Sequence, residues 1–133
     1  MGQVNVALIG TSFMGKAHSN AWRSVDKFFD IGISLVLKVA CDVDSERVKA
    51  FAENWGWEEV MSDWKQVVSL KEIDIVDICM PAFLHKDMVI AAAEIGKRIF
   101  CEKPEAKNYF KAKEMYEIVK KSEVHHYLPH NHR

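Results

Sequence analysis

The chain has 133 residues, 49% of them hydrophobic and 28% charged, with a formal net charge of −1. That is enough chain for one domain with a real core and too little for two, in the balance typical of a soluble globular protein. Near-neutral charge offers nothing to nucleic acid or to a membrane surface, and the longest apolar runs, such as Ile31–Leu37, fall far short of the roughly 20 residues a membrane span needs.

In chain order, Val4–Ile9 is a short apolar strand ending at Gly10. A helix follows, with Met14, Ala17, Ala21, Val25 and Phe28 recurring every three or four residues as its inward stripe. Leu35–Asp42 is a second strand, and Asp44 or Ser45 can cap the next helix, whose inner side carries Val48, Ala52 and Trp55 before Gly56 stops it. A weak strand at Glu59–Met61 leads to a short helix capped by Ser62 or Asp63 and carrying Trp64, Val67 and Val68. The β-branched run Ile73–Met80 is a fourth strand, stopped by Pro81. His85–Ile95 reads as a helix closed by Gly96, Arg98–Cys101 as a strand, and Asn108 as the cap of a helix with Phe110, Met115, Ile118 and Val119 inside. Val124–Leu128 is the last strand.

Strands and helices that alternate this way predict an α/β fold: a doubly wound, six-stranded parallel sheet covered on both faces, order 3-2-1-4-5-6, filling residues 1–133 as a single domain. Ligands of such sheets lie across the carboxyl ends of the strands, where the strand order reverses. The first of those ends carries Gly10-Thr11-Ser12-Phe13-Met14-Gly15, which is G-x-G-x-x-G with Ser12 at the second glycine. Gly10 supplies the tight turn, Gly15 the close packing of helix on strand, and the amides at the helix opening suit a pyrophosphate. Ser12 adds a Cβ where backbone normally meets phosphate, and also a hydroxyl.

The second strand ends in Asp42, whose carboxylate can accept from adenosine ribose hydroxyls and would repel the additional phosphate of NADP. NAD is therefore favoured as the cofactor, while Arg47 and Lys49 keep NADP open. The separation of Asp42 from Gly15 is longer than the usual spacing of about 20 residues, which an extended loop around Phe29–Ser34 explains.

The turn followed by Lys16-Ala17-His18, together with Glu102-Lys103-Pro104 after the fifth strand, resembles the Gfo/Idh/MocA oxidoreductases. Also similar are Asp42-Val43-Asp44, the helix start Ser62-Asp63-Trp64, Met80-Pro81 with His85, and the ending Asn131-His132-Arg133. The resemblance covers the whole chain but only the N-terminal half of a family member. It implies that Lys103 lies beside the nicotinamide and hydrogen-bonds the reacting hydroxyl of a sugar or polyol, where a cationic donor stabilises a developing alkoxide. Glu102 would orient that lysine, and Pro104 would follow a cis bond. The resemblance also implies a cofactor contact for His85, which can equally be a plain helix-start residue; Met80 and Pro81 would shape the loop passing the nicotinamide ribose.

The family's second α/β domain, which supplies most substrate contacts and a catalytic histidine, is expected to be absent from these residues, and an uncovered flank leaves self-association open. The alternative to an oxidoreductase is a stand-alone NAD-binding sensor or interaction module without turnover. Cys41, Cys79 and Cys101 each end an apolar run without metal-ligand spacing and are expected as buried, reduced thiols of a cytoplasmic protein. No secretory signal is read, because Asn5 and Gly10 break the N-terminal apolar stretch. His125, His126, His130 and His132 crowd the end without a carboxylate or cysteine to complete a metal site. Trp22, Trp55, Trp57 and Trp64 lack the basic neighbours of a base-stacking surface, so core packing or a domain-facing surface is expected of them.

Overall fold

A computed structural model describes residues 2–101, 109–122 and 126–127. Its elements are β1 (Gln3–Ile9), α1 (Phe13–Phe28), β2 (Ser34–Cys41), α2 (Ser45–Trp55), β3 (Glu59–Met61), α3 (Trp64–Ser69), β4 (Ile75–Ile78), α4 (Ala82–Glu94), β5 (Arg98–Cys101), α5 (Tyr109–Ser122) and β6 (His126–Tyr127). The first five strands pair parallel in the order β3-β2-β1-β4-β5, as the alternation of elements predicts, and the two residues of β6 pair with Ile99 and Phe100 at the outer edge. Strand order reverses between β1 and β4, the two central strands.

Apart from Asp77, the buried stretches of those central strands, Val6–Ile9 and Ile75–Ile78, are apolar without alternation because helices cover both faces. Val6, Ala7, Leu8 and Ile9 are all buried, as is every residue of β4. On one face Ala7, Ile9, Val76 and Ile78 pack with Val67 and Val68 of α3, Met88 and Ala92 of α4, and Met115 of α5. On the other, Val6, Leu8, Ala40 and Ile75 pack with Val48, Phe51 and Ala52 of α2 and with Trp57. Phe51, rather than Trp55, completes the buried stripe of α2.

The inward face of α1 is not the apolar stripe that periodicity suggests. Its buried residues are Gly15 and Ser19, Ala17 and Ala21 are exposed, and Phe28 is 79% exposed. Small residues let the helix axis approach β1, and Ser19 ties itself to the Gly15 carbonyl and to the Trp57 indole. Ala21 and Val25 instead line an apolar groove with Trp22 and Phe100, whose rings meet edge to face at 5.2 Å. Helix periodicity registers which residues share a face but not which face a close-packed neighbour selects.

Local chemistry sets the other boundaries. Asp44 caps α2 by accepting from the Arg47 amide, Asp63 caps α3 by accepting from the Lys65 amide, and Gly56 closes α2 in the left-handed conformation. Helix α4 begins at Ala82, three residues before the expected start at His85, because Pro81 has the fixed φ and missing amide that a helix entrance tolerates. The ladder of β4 is shorter than the run Ile73–Met80, although the Cys79 amide still reaches the Ile9 carbonyl. Cys41, Cys79 and Cys101 are buried, as expected of them, and burial pushes the Cys41 thiol up to about 12. Asn108, and all of Val124–Leu128 except His126 and Tyr127, lie outside the described residues.

Candidate functional site

The carboxyl ends of β1, β2 and β4 converge on the turn into α1. Gly10 has φ +104°, and a Cβ there would stand 2.4 Å from the Cys79 carbonyl oxygen and 3.0 Å from the Met80 sulfur. A Cβ on Gly15 would stand 2.4 Å from the Gly10 carbonyl oxygen. Both positions therefore exclude any side chain, and the Gly10 amide is tied to the Cys41 carbonyl at 2.9 Å. Ser12, by contrast, has φ −84° and is exposed, so its Cβ is accommodated without strain.

Helix α1 also begins differently from its neighbours. Asp44 and Asp63 cap α2 and α3, whereas Ser12 makes no side-chain cap hydrogen bond and the first turn of α1 carries no acid. Phe13 is 77% exposed beside it and Met14 is half-buried. A helix opening without a carboxylate leaves its positive end available to an anion. The residues fit a dinucleotide pyrophosphate: the two buried glycines hold the turn tight against the strand ends, and the Ser12 side chain makes no cap hydrogen bond.

Asp42 lies one residue past β2, with a side chain only 3% exposed. Its Oδ2 accepts from the Thr11 hydroxyl at 2.6 Å and the Thr11 amide at 3.1 Å, and its Oδ1 from the Asp44 amide at 3.2 Å. The Arg47 Nη2 reaches both oxygens, at 2.9 and 2.8 Å. Burial pushes the carboxyl up, but hydrogen bonds from Thr11, Arg47 and the Asp44 amide outweigh it and hold Asp42 below the ordinary carboxylate value. Asp42 thus fastens the phosphate turn to the end of β2.

At the end of β4, Met80 is half-buried and Pro81 is exposed. His85 is fully buried in the first turn of α4, and its Nε2 hydrogen-bonds the Met80 carbonyl. It braces the loop from behind. The structure therefore brings Gly10, Ser12, Phe13, Met14, Gly15, Asp42, Met80 and Pro81 to one edge of the sheet, with His85 beneath. Glu102, Lys103 and Pro104 lie outside the described residues, as do His125, His130 and His132.

A further cluster beneath this edge was not anticipated from sequence. Asp77 is fully buried in β4; His18 Nδ1 lies 2.8 Å from each of its oxygens, and the Trp22 indole donates to it at 2.8 Å. The Cys79 thiol donates to the same carboxylate at 3.7 Å. His18, Asp77 and Cys79 are the three residues that, among the described ones, could together approach a metal ion, but their atoms are hydrogen-bonded to one another. The available signal was an acid, Asp77, within the otherwise apolar run Ile75–Met80: a carboxylate there must find donors on the helix above. Thr11, a donor to Asp42, was equally unassigned, and Arg47 was read only as keeping NADP open, since nothing in their spacing marks the contact.

Comparison with known proteins finds a cofactor-binding family. Residues 4–130 match the Gfo/Idh/MocA oxidoreductase family, NAD-binding Rossmann fold. Levoglucosan dehydrogenase of Pseudarthrobacter phenanthrenivorans is 41% identical over an alignment covering 100% of this chain and 34% of the relative. D-apiose dehydrogenase of Paraburkholderia graminis is 34% identical, over 89% of this chain and 30% of the relative. The crystal structure of levoglucosan dehydrogenase in complex with NADH and L-sorbose superposes with a TM-score of 0.93 at 40% identity, covering 96% of this chain and 35% of that one. The chain spans about a third of the length of the relatives it matches. No helix among the described residues is long and apolar enough to cross a membrane. Glycines that admit no Cβ, an N-cap serine without a side-chain cap hydrogen bond and a carboxylate at the end of β2 agree with that match, and this chain belongs to the Gfo/Idh/MocA oxidoreductase family, in its NAD-binding Rossmann domain.

Proposed function

We propose that this chain is the cofactor-binding part of a cytoplasmic NAD-dependent oxidoreductase acting on a secondary alcohol of a sugar or polyol, with a second α/β domain supplying most substrate contacts. The observation that carries the reading is the α1 opening: two glycines with no room for a Cβ, one before the helix and one in its first turn, around an N-cap Ser12 whose side chain makes no cap hydrogen bond. Dehydrogenases named for sugars and inositol among the relatives support the substrate class. The sixth strand of the expected sheet, Val124–Leu128, completes the edge beyond β5 in this reading.

When bound, the nicotinamide supplies a hydride acceptor or donor. The amides at the start of α1 hold the diphosphate, and Gly10 and Gly15 permit its approach. Asp42 faces the adenosine ribose from the end of β2, Met80 and Pro81 form the wall beside the second ribose, and His85 keeps that wall in place through the Met80 carbonyl. Lys103, oriented by Glu102, holds a proton at the reacting oxygen of the substrate.

NADH titration of the 133-residue chain, followed by nicotinamide fluorescence, tests the cofactor site, with saturable one-to-one binding as the expected result. Lys103→Ala in an active polypeptide is expected to leave NADH affinity within about twofold and to lower turnover by at least about a hundredfold. Full turnover by that variant rejects the assignment of Lys103, and tight binding with no dehydrogenation of any polyol favours a sensor instead.

A further inference from the structure

His18, Asp77 and Cys79 meet beneath α1, and each brings a different kind of metal-binding atom. Asp77 lies in β4 and Cys79 just past its end, two residues apart, so both side chains project to the face on which α1 lies. His18 comes down from α1. Its Nδ1 is 2.8 Å from Asp77 Oδ1 and 3.3 Å from the Cys79 sulfur, and that sulfur is 3.7 Å from Oδ1. In a tetrahedral zinc site, bonds of about 2.0–2.3 Å set nitrogen, oxygen and sulfur ligands about 3.3–3.5 Å apart. Each side of the His18–Asp77–Cys79 triangle is within about half an ångström of that separation.

The surroundings also suit an ion. The Trp22 indole donates to Asp77 Oδ2 at 2.8 Å, which fixes the carboxylate with Oδ1 turned towards Cys79. His18 and Asp77 line a groove of about 340 Å³ with Ala21, Trp22, Val25 and Phe100. The side chains of those last four offer no ligand atom, so the groove is an entry path and leaves a fourth coordination position to water. A dication held by one carboxylate and one thiolate is electrically neutral, which a buried site favours. Cysteine spacing does not signal such a set, because its members are three residue types brought together from two elements.

We propose that His18 Nδ1, Asp77 Oδ1 and Cys79 Sγ form a three-ligand site for a divalent transition-metal ion of the zinc type, with an exchangeable water as fourth ligand. The hydrogen-bonded cluster is the proton-filled form of that site. On binding, the Cys79 thiol releases its proton to solvent, and His18 coordinates through Nδ1 with its ring proton on Nε2. The ion then clamps α1 onto the central strand. The inference does not rest on the cofactor reading above.

The experiment is a titration of the reduced, chelator-treated 133-residue chain with cobalt(II), followed by absorption, and then with zinc, followed by displacement of the cobalt and by thermal unfolding. The native chain is expected to bind one cobalt ion, with a thiolate-to-metal charge-transfer band and the strong ligand-field bands of a tetrahedral site, and zinc should abolish both. Saturating zinc is expected to raise Tm by at least about 5 °C. Cys79→Ser, with its fold checked by circular dichroism, is expected to lose the charge-transfer band and to bind zinc at least about a hundredfold more weakly. Cys41→Ala and Cys101→Ala should keep the band. If Cys79→Ser does not fold, a band retained by both of those variants still assigns it to Cys79, the third thiol of the chain. Trp22→Phe, which keeps a ring and loses the N–H donated to Oδ2, should weaken zinc about tenfold. Absence of cobalt binding, cobalt spectra without a charge-transfer band, or a band that survives in Cys79→Ser overturns the site. So does zinc binding that disappears when His125, His126, His130 and His132 are all changed to Gln.

Discussion

Removing the His18 imidazole tests the buried cluster that joins α1 to the central strand. Asp77 is fully buried, and His18 Nδ1 lies 2.8 Å from both of its oxygens. An ionised carboxylate only accepts, so His18 presents an N–H there. His18→Ala leaves the carboxylate with the Trp22 indole and the weak Cys79 thiol. Breaking a buried pair by deleting one partner destabilises by about 3–5 kcal/mol. The His18 side chain is 14% exposed, so water entering the vacated site relieves part of this, and about 3 kcal/mol is expected. An unfolding entropy near 2.1 cal/mol/K per residue translates this into a fall of roughly 10 °C in Tm for a chain of this size. Thermal and urea unfolding of His18→Ala, Asp77→Asn and the double variant measure it as a cycle. The coupling between the two positions should exceed about 1.5 kcal/mol, and the double variant should be no worse than His18→Ala alone. A loss below about 1 kcal/mol in His18→Ala, or additive effects, would refute the argument that a buried carboxylate depends on this histidine.

Two further outcomes follow from the turn and its fastening. Gly15→Ala places a Cβ 2.4 Å from the Gly10 carbonyl oxygen, which is backbone and can only yield by opening the turn. About 1–3 kcal/mol of stability should be lost and NADH affinity should fall at least about tenfold, read by thermal unfolding and titration, and unchanged affinity would show that the close approach is not needed. Asp42 titrates below its ordinary value of 3.8 in the folded chain, so its stabilising contribution is complete above that value and disappears as pH falls through the lower folded-state value. As pH falls through 3.8 and below, the native chain should therefore lose stability more steeply than Asp42→Asn, and parallel acid-unfolding curves would contradict the assigned hydrogen bonds.

Much of the architecture was legible because it follows from local rules. Gly10, Gly56 and Pro81 stop elements through backbone geometry alone, Asp44 and Asp63 cap helices through contacts no more than three residues away, and the non-alternating runs of β1 and β4 announce strands covered on both faces. The positions of Gly15 and Asp42 at the carboxyl edge were legible for a similar reason: one stands in the first turn of the helix after β1 and the other just past β2.

What sequence by itself determined is the succession of elements, the parallel sheet that succession implies, and a phosphate turn at its carboxyl edge. Only the tertiary structure decided that α1 turns Gly15 and Ser19 inward rather than its apolar stripe, that His85 is buried behind the Met80 carbonyl, and that Asp77 meets His18 and Trp22. It alone showed that Arg47 covers the carboxylate expected to select the cofactor. Each of these is set by which surface of one element lies against another: the α1 face and the Asp77 cluster join residues that the chain separates widely, and the His85 and Arg47 contacts, though only five residues long, follow no periodicity that would encode them.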